Sequence, residues 1–229
     1  MKMDAKWLGQ IAYTTAWDLQ KEMVTARMED PDLIDELLLL EHPPTYTLGR
    51  SGKLDHLLLS EAEWEMQGFT VHWVDRGGDI TYHGPRQLVG YPIMNLKRLF
   101  NVQGFEKPDL HRYLRNLEEV IIQTLAAFAI VGWRYDGYTG VWVDRPDGPR
   151  KIAAIGVRVN VKGISSHGFA LNVSPDMSHF ANIVPCGISE HGVVSMAEIV
   201  ERPLTTIDLL QPLTEAFATV FEISVKLPP

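Results

Sequence analysis

"YTGVWVDRPDGPRKIAAIGVRVN", residues 138–160, reads as two strands folded back on one another. Pro146 presets the φ angle of a turn and Gly148 supplies the positive φ that closes it, so the turn falls at Pro146-Asp147-Gly148 and the two runs pair antiparallel. Lys151 then stands where the returning strand begins, followed by the uncharged run "IAAIGV". Immediately upstream, "LHRYLRNLEEVIIQTLAAFAI" (110–130) carries Leu110, Tyr113 or Leu114, Leu117, Ile121, Leu125 and Phe128 in a sustained 3.6-residue stripe, with Gly132 as a stop. A long amphipathic helix feeding an antiparallel pair predicts an α+β domain.

The flanking segments agree. Residues 14–27 space Ala16, Leu19, Met23 and Ala26 at helical intervals; "DELLLLEH" is a short apolar run stopped by Pro43-Pro44 and suits a buried central strand. Ser60 followed by Glu61 and Glu63 predicts a capped helix start. "FTVHWVD" alternates as a strand leading into "RGGDITYHGPRQLVGYPIMNL", "GFALNV" reads as a further short strand, and residues 205–220 as a last helix capped by Thr205 or Thr206. There are no repeats or low-complexity tracts. The expected architecture is α/β of the α+β type, a mixed, largely antiparallel sheet flanked by helices in one domain spanning 1–229.

The 229 residues are 45% hydrophobic and 22% charged, enough to bury a core without staples. One cysteine, Cys186, excludes an internal disulfide and an all-cysteine zinc site, and points to a reducing, cytoplasmic setting. The first twenty residues lack the apolar region of a signal peptide, and no stretch has the length of a membrane span. A formal net charge of −8 argues against nucleic acid as a partner. The eight histidines show no H-x-H, H-x-x-x-H or H-E-x-x-H spacing, so a catalytic metal is not expected; no other cofactor is expected either.

Three features bear on chemistry. "RGGDITYHG" (76–84) follows a predicted strand, but it has neither the Gly-Lys-Ser/Thr of a phosphate loop nor the spacing of a dinucleotide fingerprint. A tight turn and a binding site both fit it, and Arg76, Tyr82 and His83 beside the glycines favour the site. Cys186, between Pro185 and Gly187, fits either a small buried hydrophobe or a nucleophile; a nearby cation lowers a thiol's pKa from about 8.5 and makes the thiolate available. Lys151 fits a solvated hairpin end, like Arg150, or an inward-aimed amine. His83 or His167 could alternatively pair with the thiol in a papain-like arrangement.

Five segments in order, "HPPTYTLGR" (42–50), "RGGDITYHGPRQLVGYPI" (76–93), "KIAAIGVRV" (151–159), "SHGFALNV" (166–173) and "FANIVPCGI" (180–188), together resemble the octanoyltransferases of lipoate biosynthesis, the lipoyl(octanoyl) transferase family. The resemblance implies the fold shared by biotin and lipoate protein ligases. It implies an acyltransferase that moves a medium-chain acyl group, octanoyl, from acyl carrier protein to a lysine of lipoyl domains in 2-oxoacid dehydrogenases and the glycine cleavage H protein, through a cysteine-bound thioester and without ATP. Cys186 falls on the family's nucleophile and Lys151 on the residue that lowers its pKa. Substrate contacts carry over onto Arg76, Gly77, Gly78, Asp79, Ile80, Thr81, Tyr82 and His83, onto Ala154, Ile155 and Gly156, and onto Gly168, Phe169 and Ala170. Small residues there leave room for an acyl chain. His83 assists proton transfer or orders the loop.

The chain departs from the family pattern at Asp79, where many members have Gln, at Arg86, where glycine is commoner, and in "GVVSM" (192–196). An ATP-dependent lipoate or biotin ligase is the alternative reading; it would share the fold and lysine but need no cysteine. Because carrier proteins are acidic and so is this chain, docking calls for a local basic patch, with Arg76, Arg86, Lys97, Arg98, Arg150 and Arg158 as candidates.

Overall fold

A computed structural model of the chain describes residues 1–184 and 192–227. Its strands are β1 (Lys2–Gln10), β2 (Asp35–Glu41), β3 (Thr45–Leu48), β4 (Thr70–Trp73), β5 (Ile80–His83), β6 (Gln87–Ile93), β7 (Trp133–Tyr135), β8 (Tyr138–Arg145), β9 (Gly148–Val159), β10 (Ser165–Asn172) and β11 (Ser224–Lys226). The α-helices are α1 (Tyr13–Glu29), α2 (Glu61–Met66), α3 (Leu96–Val102), α4 (Leu110–Ala126), α5 (Met196–Val200) and α6 (Leu210–Phe221). No helix among these residues is long and apolar enough to cross a membrane.

Eight strands form one sheet in the order β11-β1-β2-β6-β10-β9-β8-β7. The β11–β1–β2 pairings are parallel and the rest antiparallel, the mixed and largely antiparallel sheet expected. A second, three-stranded sheet, β4-β3-β5, was not foreseen. It packs its own cluster of Tyr46, Leu48, Ile80 and Tyr82 against Phe180.

The unbroken leucine run is explained by burial on both faces. Leu37 and Leu39 join the large core beneath α4 and α6, whereas Leu38 and Leu40 join the core beneath α1. Each fully buried leucine stabilises the fold by roughly 1.5–3 kcal/mol. Asp109 caps α4 by accepting from Arg112 N at 3.0 Å. Ser60 caps α2 in a reciprocal box with Glu63. The last helix begins later than predicted: Thr205 caps a 3-10 turn, Thr206–Leu209, which leads into α6. Strand β1 and helix α3 also had no counterpart in the sequence reading.

Strands β6 and β10 approach unusually closely where the acyl-binding segments were expected. A Cβ on Gly168 would overlap the Gly90 carbonyl oxygen and lie 2.7 Å from Pro92 Cδ, while the Phe169 ring lies over Gly90. Backbone atoms cannot yield as a flexible side-chain tip can. Gly168→Ala is therefore expected to destabilise the protein by about 2 kcal/mol, within the usual range for overpacking. Urea unfolding measures this; an unchanged midpoint at unchanged slope would show slack between β6 and β10.

Candidate active site

Lys151 owes its direction to a defect in the β8–β9 ladder. Val141 pairs with Ala153, but the next residue, Trp142, pairs with Lys151, so Ile152 is an extra residue on β9. This is a β-bulge, and it reverses the alternation of side chains beyond it. Val141, Ile152 and Ala153 all enter the large core. Lys151, which would have shared their face in a regular strand, is turned with Trp142 to the opposite one. Its amine lies 4.9 Å from the Trp142 ring centroid, a cation–π contact with a fully buried ring. Its backbone is tied on the outer side, Lys151 N donating to Gly192 O at 3.0 Å and Val194 N to Lys151 O at 3.1 Å.

The Gly-Gly segment lies as a strap across β9. Gly77 N donates to Val157 O at 3.0 Å, and Gly49, Arg50 and Ser51 donate to Asp79, Arg76 and Gly78 carbonyls at 3.2, 3.0 and 3.2 Å. Glycine is needed on both sides of the strap: a Cβ on Gly49 would overlap Gly78 O, and one on Gly156 would lie 2.8 Å from Gly77 O. Gly78 itself has φ +87°. Arg76 is a staple for this strap. Its Nη2 donates to Thr47 O at 2.6 Å and to Thr47 Oγ1 at 2.9 Å, and its Nη1 to Gly77 O at 3.0 Å.

Two clefts meet at the strap. The narrower, about 480 Å³ counting its mouth, is lined by Arg76, Gly77, Gly78, Asp79, Ile80, Thr81 and His83, by Ala154, Ile155 and Gly156, and by Gly168, Phe169 and Ala170. These are the residues carried over from the resemblance, with one exception. Tyr82 alternates away from the cleft into the small-sheet core, its hydroxyl 2.7 Å from His179 Nδ1. The wider cleft shares Gly77, Gly78, Asp79, Ile155 and Gly156 with the narrow one and adds Lys151, Lys53 and His56. Cys186 lies outside the described residues. Its described flanks are anchored at the wider cleft: Val184 N donates to His56 O at 2.8 Å, and Gly192 O accepts from Lys151 N.

The sequence reading missed Tyr13 and Tyr91 in the narrow cleft, and left His167 there only as a rival partner for the thiol. Their polar atoms are largely turned into the protein. His42 donates from Nδ1 to Ile11 O at 2.9 Å, which leaves Nε2 to accept from Tyr91 Oη at 2.8 Å. His83 Nδ1 donates to Gln87 Oε1 at 2.9 Å, and its Nε2 faces Thr47 Oγ1 at 3.4 Å. Both nitrogens of His83 thus face partners, and the residue is 6% exposed. The cleft is therefore walled largely by rings and glycine backbone. Asp79 explains its own presence: Oδ2 lies 2.5 Å from His56 Nδ1, and Oδ1 accepts from Ile80 N at 2.7 Å. Arg86 sits at φ +62°, a conformation that suits the commoner glycine, and its N–H donates to Glu41 Oε2 at 2.8 Å.

The six cations expected to form a docking patch do not gather. Arg76 is buried; Arg98, Arg150 and Arg158 are ion-paired with Asp35, Asp147 and Asp75. Arg86 and Lys97 flank opposite ends of β6.

The lipoyl protein ligase A/B catalytic domain family matches residues 12–218. An octanoyltransferase of Chloroflexus aurantiacus is 46% identical over 225 residues, covering 93% of this chain and 96% of its own length. The chain belongs to the octanoyltransferase family. An octanoyltransferase of Cytophaga hutchinsonii is 42% identical, covering 96% of this chain and 92% of its own. Octanoyltransferases also share their fold with ligases: the bipartite lipoate protein ligase of Thermoplasma acidophilum superposes with a TM-score of 0.77 at 14% identity, over 99% of this chain and 86% of that one. The members' shared activity makes this chain an acyltransferase, and its apolar cleft, adjoining a wider one lined by Lys151, is in keeping with that chemistry.

Burial pushes His42 down to about 4 and His167 down to about 3, and holds His83 well below the usual histidine range. Folded-state values below the unfolded 6.5 mean that the unfolded chain takes up protons first as pH falls. Stability is thus expected to be full above about pH 6.5 and to drop below it, by about 1.4 kcal/mol per pH unit for each such histidine until the folded value is reached. Urea unfolding at pH 7, 5.5 and 4.5 checks this; equal stability at all three would contradict it.

Proposed function

We propose that the chain, acting as one catalytic domain, transfers octanoyl from acyl carrier protein to the lysine of a lipoyl domain through a thioester on Cys186. The observation that carries this reading is the bulge that turns Lys151 out of the core into the wider, open cleft, which meets a narrow apolar one at the strap. The acyl chain occupies the narrow cleft and its thioester carbonyl lies at the junction. Val184, the last described residue before Cys186, donates from its N–H to the carbonyl of His56, which lines the wider cleft.

In the first step the Cys186 thiolate attacks the thioester carbonyl, the tetrahedral intermediate collapses, and the carrier's thiol leaves with a proton. In the second, the acceptor lysine's neutral amine attacks the acyl-enzyme, its proton passes to the Lys151 amine left neutral by the first step, and the amide forms as Cys186 leaves as the thiolate. Lys151 as an ammonium favours the thiolate and supplies the leaving thiol's proton. Exchange between thioesters is nearly balanced in energy and amide formation is downhill, so the cycle needs no nucleotide. The lipoyl domains of 2-oxoacid dehydrogenases and the glycine cleavage H protein are the acceptors this chemistry fits.

Incubation with octanoyl-carrier protein, without ATP, is expected to add one octanoyl mass to the chain. The adduct should be lost to hydroxylamine and absent in Cys186→Ala. Lys151→Ala should slow its formation by about 10²-fold or more, the usual loss for a proton-transfer group. Intact-mass spectrometry with rapid quenching reads both; a wild-type chain that gains no mass, or acylates only with ATP, sinks the mechanism.

A further inference from the structure

His167 is held in a way that neither packing nor the proposed transfer requires. It sits inside β10 with φ +56°, a left-handed conformation that costs an L-residue free energy and that histidine adopts more readily than most. Its backbone N–H donates to the side chain of Gln20, to Oε1 at 2.8 Å. The ring is 2% exposed and lines the narrow cleft. Nε2 lies 2.7 Å from Asp75 Oδ1, and the other oxygen of Asp75 is paired with Arg158. Asp75 belongs to the neighbouring groove beside α1, outside the acyl cleft.

This arrangement fixes the tautomer. Burial, reinforced by the Arg76, Arg158 and Lys21 charges, keeps the imidazole neutral with a pKa of about 3. A neutral ring has one N–H, and the carboxylate draws it to Nε2. Nδ1 is left as a bare acceptor, buried and without a hydrogen-bond partner among the described residues. The other histidine that lines this cleft, His83, has both ring nitrogens facing partners. The complement of a buried acceptor in an acyl cleft is a donor on the acyl chain.

We infer that His167 is a specificity-determining residue whose Nδ1 accepts a hydrogen bond from a hydroxyl on the distal carbons of the acyl group, so that the enzyme transfers hydroxylated as well as plain medium-chain acyl groups. The inference rests on the acyl transfer proposed above. His167 lines the narrow cleft and not the wider one that holds Lys151, and its β9 partner Val157 is six residues beyond Lys151, so the imidazole lies toward the far end of the acyl chain and only the distal carbons approach it. Asp75 is a positioning residue, acting through the tautomer it enforces.

The test compares kcat/KM for 8-hydroxyoctanoyl- and octanoyl-carrier protein on the full chain with a lipoyl-domain acceptor. Because both are read on one sample, their ratio does not depend on the folded fraction. The wild type is expected to keep the ratio above about 0.1, and His167→Phe to lower it at least tenfold, since the phenyl ring leaves the hydroxyl unpaired. Should the phenylalanine variant fail to fold, His167→Leu, which is smaller than phenylalanine and carries no acceptor, is read the same way. A wild-type ratio below 0.1, meaning that Nδ1 holds only water, or a ratio unaffected by either substitution, overturns the inference while leaving octanoyl transfer standing. Absence of octanoyl transfer itself would remove the underlying mechanism and this inference with it.

Discussion

The hydrogen bond from Gly77 N to Val157 O holds the two sheets together at the place where chemistry is expected. It requires the strap to lie flat on β9, and that in turn requires Gly156 below it and Gly49 above it, because a Cβ at either would meet a carbonyl oxygen. Arg76 then closes the arrangement by bonding Thr47 across the gap. Both clefts are bounded by this strap. Their shape follows from backbone contact more than from side-chain choice, which is why small residues recur along it.

An apolar chain and a wall of histidines and tyrosines look incompatible until the hydrogen bonds are followed. Burying an unpaired polar atom costs more than a made hydrogen bond returns, so such residues are tolerated when they satisfy one another. His42, Tyr91 and Ile11 form one such chain, and His83, Gln87 and Asn172 another. The cost is neutrality: these imidazoles are kept from charging by burial. Chemistry that needs a proton shuttle at neutral pH is thereby shifted away from them, and in the mechanism proposed above it falls to Lys151.

Much of this was legible in the residues, for identifiable reasons. The α4 stripe and the β8–β9 turn are local signals, and the five ordered segments located nearly the whole lining of the narrow cleft. Helix α1 was legible from Ala16, Leu19, Met23 and Ala26 even though Gln20 and Arg27 are buried on it, Arg27 paired with Glu36 and Gln20 engaged by His167; the burial of those polar residues was not. Tyr82 was misassigned because a contiguous motif hides strand alternation: its neighbours Thr81 and His83 face the cleft while it does not. The bulge at Ile152 has no local signature at all. Nor does the pairing of Arg98, Arg150 and Arg158 with carboxylates far away or nearby in sequence, which dispersed the expected basic patch.

The large sheet also controls what it does not bind. Its outermost strands, β7 and β11, are three residues each, whereas the strands between them run to twelve. A foreign strand that docks on either edge strand finds three residues of template, and Lys226 on β11 places a charge where one would dock. The shortness has a second side: β11 pairs only with Lys2, Met3 and Asp4 of β1, so from residue 5 to residue 10 the outer edge of β1 is flanked by no strand among the described residues. Growth of the sheet by a foreign strand is thereby directed to β1 and away from the edge strands themselves.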